Sequence, residues 1–412
     1  MDINRPPGPR GRWLTGNIRA YEADRIGFLR RCHDEYGDVF SFDDRTVCVS
    51  DPVLAHDVLT RTDGDFLTEL APFDSQPELD RAATAAKAWA PARRAAWTGL
   101  NRQAAAATDA RTAELLDQVL DATAGRDVEV LAVMRTFAAR TIADHCFGVD
   151  ADSVPQALAA TVDTTAPFET ASYTPPAWFP LPRRRRFLRA HRQFSDTLTR
   201  IVTRRRAAGD RGQPTDLLDV LLAADPALPD RTVLSTLRTV LIGGYGVPAA
   251  ALASIVRELA RRPGLVDELR ADTAGTLAGA VVDEVLRLHP PAWLMTRTAR
   301  RATTVGPWSV RPGDEVLLNA YLIHRDPRWW PRPDEFDPGR WLAGRPAPAA
   351  AYLPFGAGPR VCLGTMLTRR QLTVVTTRLA RRFTITSPNA GSAEPAFTGR
   401  LAPVGLLARF DP

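Results

Sequence analysis

The sequence predicts a mainly α-helical fold with small β-sheets, an α+β arrangement, in a single domain over residues 1–412. Two observations predict the class: apolar residues recur at helical spacing through most of the chain, and runs with strand character are few and short. A third sets the domain number. Length alone suggests roughly two or three domains, yet no internal repeat or low-complexity linker marks a boundary, so one compact unit is the simplest organisation.

From the amino end, "DVFSF" and "TVCVS" are the first strand candidates. Helical spacing then covers Thr112 to Leu131, Leu188 to Arg206, Pro214 to Ala224 and Asp230 to Arg261, and continues from Pro263 to Leu288. After residue 302, "TTVGPWSV" and "DEVLLN" are further strand candidates. Proline and glycine cluster from Arg325 to Arg345, a loop region long enough to have a function of its own, before a last helix over Thr365 to Arg382.

Composition narrows the functional classes. The chain is 45% hydrophobic, enough for a large core, but no window approaches the ~20 uninterrupted apolar residues of a membrane span. The start, "MDINRPPGPRGRW", lacks the apolar stretch of a signal peptide, so a cytoplasmic protein without a membrane partner is expected. Cys32, Cys48, Cys146 and Cys362 are far apart and form no C-x-x-C pair, which argues against a disulfide framework or a zinc cluster. The net charge of +6 comes mostly from arginine, concentrated in "LPRRRRFLRAHRQF" and "RIVTRRRAAGDR". Such runs read as a solvated helix face, or as a docking surface for an acidic protein; no zinc-finger spacing or aromatic RNA-reading signature accompanies them, so no nucleic-acid partner is expected.

"TVLIGGYGVPAAAL" admits two readings. Gly244, Gly246 and Ala249 fit G-x-G-x-x-A, the loop that carries a dinucleotide pyrophosphate onto a helix. Alternatively, the stretch is the middle of one long helix, loosened by glycines and Pro248. The dinucleotide reading needs a strand before the glycines and another, ending in an acid, some twenty residues later. The chain continues instead as "PAAALASIVRELARRPGLVDELR", which is helical, so Gly243, Gly244, Gly246, Val247 and Pro248 are assigned to a bent helix. "HRD" at His324 to Asp326 suggests a kinase loop, but Pro331 occupies the place of the required asparagine.

The stretch "AYLPFGAGPRVCLGTMLTRRQL" carries ligand chemistry. Cys362 follows a glycine-rich loop and precedes a helix, whose unsatisfied N–H groups and dipole favour a thiolate. Gly358 and Gly364 would let the backbone approach a flat cofactor, Phe355 would cover the sulfur, and Arg360 offers a fork suited to a carboxylate. A lone cysteine without such neighbours is more often an inert buried thiol.

Phe355, Gly358, Arg360, Cys362 and Gly364 match F-x-x-G-x-R-x-C-x-G, and here the chain resembles the cytochrome P450 superfamily. The resemblance implies a cytochrome P450 fold, haem b (iron protoporphyrin IX) as cofactor, and Cys362 as the axial thiolate that promotes O–O cleavage. Glu284 and Arg287 in "DEVLRLHPP" reproduce the family's E-x-x-R on one helix face, and Arg340 in "FDPGRW" resembles the third member of that buried charge network. Trp89 and Arg93 match a W-x-x-x-R helix that reaches a haem propionate; Arg297 and Arg360 correspond to further propionate contacts.

The distal stretch departs from the family's (A/G)-G-x-(D/E)-T. Aligned on Gly243 and Gly244, Gly246 takes the acid position, Val247 the threonine, and Pro248 is next. Neither Gly246 nor Val247 can donate a proton, and Pro248 leaves carbonyls near Gly244 free. Either ordered water or a shifted register of this alignment restores the relay, or the substrate supplies the missing group, or the enzyme uses peroxide or performs oxidative decarboxylation or coupling. The expected activity is oxidation of a small specialised metabolite with dioxygen and substrate-assisted proton delivery. Electrons would come from a ferredoxin and its reductase, since no flavin or iron–sulfur module is recognisable. A haem-binding module without turnover is the competing class. By analogy with the family, substrate would meet residues within Phe66 to Asp80, Phe168 to Phe179, Ile242 to Pro248, Trp293 to Met295 and Ala396 to Thr398, with Phe73, Tyr173, Trp178 and Phe397 among them.

Overall fold

A computed structural model describes residues 4–12, 16–68, 76–169, 182–209, 212–224, 227–344 and 347–412. The chain packs as two compact units: Met1–Ala90 with Ala292–Cys362, and Pro91–Pro291 with Leu363–Pro412. Helices dominate and the sheets are small, as expected.

The first unit is built on a mixed five-stranded sheet in the order Val39–Ser41, Thr46–Val49, Glu315–Leu318, Met295–Ala299, Phe66–Leu67. Thr46–Val49 and Glu315–Leu318 run parallel, with Val47 opposite Val316; the other neighbours are antiparallel. "TTVGPWSV" folds into the hairpin Thr303–Val305 with Trp308–Val310. Helix Pro52–Thr60 lies on this framework. Its start is encoded locally, with Pro52 in the first turn and Asp51 accepting a hydrogen bond from the Leu54 N–H at 2.7 Å. Ala55, Val58 and Leu59 on its inner side are buried with Val47, Val49, Phe66 and Val316 in one core cluster.

The second unit centres on the 31-residue helix Asp230–Ala260, which packs most extensively on Val130–Phe147. The stretch of glycines and proline is therefore interior helix, and the described element before that helix is another helix, Leu217–Leu222, not a strand, which removes the dinucleotide-loop reading. By length and composition this is the one described helix able to cross a membrane, but 67% of its apolar window is buried, as in a core helix. The segment Pro263 to Leu288 divides into Pro263–Ala271 and Thr276–Leu288, because Gly275 adopts a left-handed φ of 71° and Asp272 caps the next turn by accepting from Gly275 and Leu277. Thr112 to Leu131 likewise splits, into helix Asp109–Asp121, strand Val128–Glu129 and the start of Val130–Phe147. The last helix, Thr365–Arg382, is tied to Asp109–Asp121 by Arg370 with Asp109, Arg378 with Asp117 and Arg382 with Asp121.

The arginine run falls on helix Pro182–Ala207, and part of it is solvated as expected. Arg205 is not. It is 4% exposed and bonds Asp150, Asp216, Asp219 and the Phe147 carbonyl, so charge there serves the interior.

Candidate functional site

The cysteine loop belongs to the first unit. Cys362 is exposed, whereas Cys32, Cys48 and Cys146 are buried, and burial pushes the thiol of each of those three up, to about 11 for Cys32. Of the four cysteines, only Cys362 thus presents its thiol to a ligand. Its loop is closed by the Cys362 N–H donating to the Phe355 carbonyl at 3.0 Å and the Val361 N–H to the Gly358 carbonyl at 3.0 Å. Gly358 has a left-handed φ of 72°, and a Cβ there would press on the Leu59 carbonyl and lie 2.7 Å from the Thr60 Cα. The requirement for glycine at this position therefore comes from the end of helix Pro52–Thr60, against which the loop rests. Phe355 and Gly364 are half-buried, Gly364 directly preceding the last helix.

The same helix end fixes two of the predicted arginines. Arg297, buried on strand Met295–Ala299, donates from Nε to Thr62 Oγ1 at 2.9 Å and from Nη1 to its neighbour's carbonyl, Thr296, at 2.8 Å. Arg360 Nε stands 2.9 Å from both carboxylate oxygens of Asp63. Asp63 itself sits at φ 72°, uncommon for a residue other than glycine and best tolerated by Asp or Asn. The Arg360 guanidinium also lies over the Trp89 ring, 5.3 Å from its centroid. Sequence reasoning found Trp89, Arg297 and Arg360 but neither Thr62 nor Asp63. Trp89 lies at the break between helices Gln76–Ala88 and Ala90–Gly99, not inside one helix with Arg93 as the W-x-x-x-R reading supposed; Arg93 is half-buried on the second of them.

In the second unit Glu284 and Arg287 are both fully buried and joined by two parallel bonds, Nε to Oε2 and Nη2 to Oε1, each 2.9 Å. Arg340, in the first unit, is half-buried and donates to the carbonyls of Pro331, Arg332 and Glu335.

The distal residues present different sides of helix Asp230–Ala260. Gly243 is exposed, with nothing within 4 Å of where a Cβ would point, and Val247 lies one turn on along the same side. Gly244 packs on helix Val130–Phe147, where a Cβ would meet the Ile142 side chain. Gly246 is buried against the guanidinium of Arg400. Tyr245, also buried, lines a cleft with Arg135, Thr136 and Asp163. Pro248 lies within the helix and donates no hydrogen bond to the Gly244 carbonyl, an arrangement that costs about 3 kcal/mol or more in an ordinary helix.

Of the residues expected to meet substrate, Phe73, Tyr173 and Trp178 lie outside the described residues, as does the side chain of Phe168. Phe66 belongs to the sheet core of the first unit, Trp293 is buried, and Phe397 is half-buried in the hairpin Pro395–Phe397 with Leu401–Pro403.

These residues fit haem on the structure's own terms. The first unit combines one exposed thiol with two anchored guanidinium groups, the donor set for a sulfur-ligated porphyrin with two carboxylates.

Comparison with known proteins agrees. The family model for cytochrome P450 matches residues 6–407, across both units. Cyclooctatin synthase of Streptomyces melanosporofaciens is 31% identical over 310 residues, 66% of each chain. Cyclooctat-9-en-7-ol 5-monooxygenase of the same organism is 32% identical over 229 residues, 50% of this chain and 49% of that protein. The chain thus spans less than two thirds of the length of these relatives. Among solved structures, the cytochrome P450DA haem domain superposes with a TM-score of 0.82 at 22% identity, covering 100% of this chain and 98% of that one.

Proposed function

The chain belongs to the cytochrome P450 family of haem-dependent monooxygenases, and from that premise we propose that it oxidises a small specialised metabolite, with a proton contributed by the substrate itself. Haem held by a cysteine sulfur supplies dioxygen activation and transfer of one oxygen atom to the substrate. Cys362 would hold it as a thiolate, the one exposed cysteine of four. Arg297 and Arg360, fixed by Thr62 and Asp63, would take the propionates, with Trp89 beside Arg360. Buried Glu284 and Arg287 would hold the framework of the second unit.

The chain's own residues set the proton problem. Val247 offers a methyl group where the family carries an alcohol, and Gly246 offers no side chain where it carries an acid. Pro248 leaves the Gly244 carbonyl without its helical donor, so this oxygen would accept a hydrogen bond from water or a substrate hydroxyl. Gly243 adds no side chain there, and nothing lies within 4 Å of where its Cβ would point. We place the final proton donor on the substrate for this reason. Electrons would come from a ferredoxin and its reductase, an acidic partner suited to a chain of net charge +6, in the cytoplasm.

The observation that carries the reading is the exposed thiol of Cys362 in one unit with two anchored arginines. Its test is the ferrous carbonyl spectrum: the wild type should show the red-displaced Soret band of sulfur ligation and Cys362→Ser should lose it. Product formed with ferredoxin, reductase and dioxygen supports the monooxygenase. Product formed only with peroxide would replace it with the second reading, which the run Gly246, Val247, Pro248 also favours.

A further inference from the structure

Gly246 and Arg400 are distant in sequence and meet within the second unit. A Cβ on Gly246 would lie 2.9 Å from Nε, 3.0 Å from Cζ and 3.2 Å from Nη1 of Arg400. Three nearly equal distances mean that the guanidinium lies flat on the helix, and that a side chain at residue 246 would make it shift. Arg400 reaches this place from the tip of the hairpin Pro395–Phe397 with Leu401–Pro403. The tip is fixed by Thr398 Oγ1 donating to the Arg400 carbonyl at 3.1 Å and by the Leu401 N–H donating to the Pro291 carbonyl at 3.0 Å. The position at which the family places a carboxylic acid is therefore covered here by a permanent cation.

A guanidinium cannot relay a proton, because it does not give one up in a protein. It can hold an anion, with five N–H donors in a rigid fork matched to a carboxylate, enough to serve more than one acceptor. Apolar groups adjoin it on two sides, buried Ala249 and Ala250 on the next turn and half-buried Phe397 on the same hairpin, while Thr398 and Gly399 at the tip are exposed. Arg400 itself is half-buried, so it is partly shielded from water and a charge-assisted pair there is favoured.

We propose that Arg400, seated on Gly246, is a specificity-determining residue that receives the carboxylate of an apolar carboxylic acid substrate. The proposal rests on the monooxygenase reading above and names its substrate class. It also places an acid–base group where the acid side chain is lacking: held as a carboxylate it has no proton of its own, so it would take one from water before passing one on.

The test uses the haem-loaded full chain and equilibrium dialysis, which needs no turnover. Dodecanoic, hexadecanoic, abietic and cinnamic acids are each compared with their primary amides. At least one acid should bind about tenfold more tightly than its amide. Arg400→Gln should abolish that preference while leaving amide binding unchanged, and Arg400→Lys, which keeps charge and loses the fork, should fall between. Gly246→Ala, whose methyl group displaces the guanidinium, should also reduce acid binding. The ferrous carbonyl band confirms that each variant retains haem. Absence of any acid preference, including absence of binding by every probe, overturns the proposal, as does a preference that survives in Arg400→Gln. Acid preference without turnover under ferredoxin or peroxide would sink the oxidation reading and leave anion recognition intact.

Discussion

Asp63 takes Arg360 with both carboxylate oxygens, each 2.9 Å from Nε, and it does so from a left-handed backbone position. Asp63→Asn keeps the backbone tolerance and removes the charge, which separates the two contributions. With Arg360 largely covered and Asp63 partly exposed, the stability loss should be about 1 kcal/mol by urea denaturation. Loss of a negative charge beside Arg360 should also raise the haem midpoint potential; an unchanged potential would show that this pair does not reach the cofactor.

Val247→Thr should restore a hydroxyl to the distal helix at little structural cost, because threonine in a helix can bond the carbonyl one turn back. We expect more product per electron consumed and less released peroxide. Equal coupling in variant and wild type would place residue 247 away from the oxygen site.

Glu258 predicts an acid-sensitive step. Burial pushes its carboxyl up, but His289, with a ring nitrogen 3.1 Å from Oε1, and then Arg262 and Arg257 outweigh burial and bring it down to about 2. A carboxyl held below its unfolded value of 4.5 stabilises the fold fully above that pH, and the contribution is lost as pH falls toward 2. On the order of 3 kcal/mol is involved. Between those pH values the stability of Glu258→Gln should change less steeply than that of the wild type, measured as urea midpoints. Parallel curves would refute the assignment.

Removing Glu284 alone should be far more damaging than its hydrogen bonds suggest. Glu284→Ala leaves Arg287 charged and buried, a loss of roughly 3–5 kcal/mol. The double variant Glu284→Leu with Arg287→Met should recover part of that loss in chemical denaturation. A double variant no more stable than the single one would mean that buried Arg287 is not the source of the damage.

What could be read from the sequence was what local spacing determines. Glu284 and Arg287 lie three residues apart in one helix, so their bidentate pair comes from helix geometry. The loop around Cys362 was legible for the same reason. Thr62, Asp63 and Arg400 were not, because each meets its partner across hundreds of residues or between elements that no local pattern links. The break at Gly275 had its signal in "DTAG", which helical spacing on both sides obscured. The strands after residue 383 are only three to five residues long, too short for alternation to stand out.

The close of helix Pro52–Thr60 carries an uneven share of responsibility. Within five residues, Leu59 to Asp63, it props the Gly358 turn and steadies Arg297 and Arg360. A mutational scan scored by haem content should find these positions as intolerant as those in the cysteine signature, although none belongs to it. Chimeras that exchange the hairpin or the long helix to alter substrate choice should therefore leave this stretch, and the spectrum it protects, undisturbed.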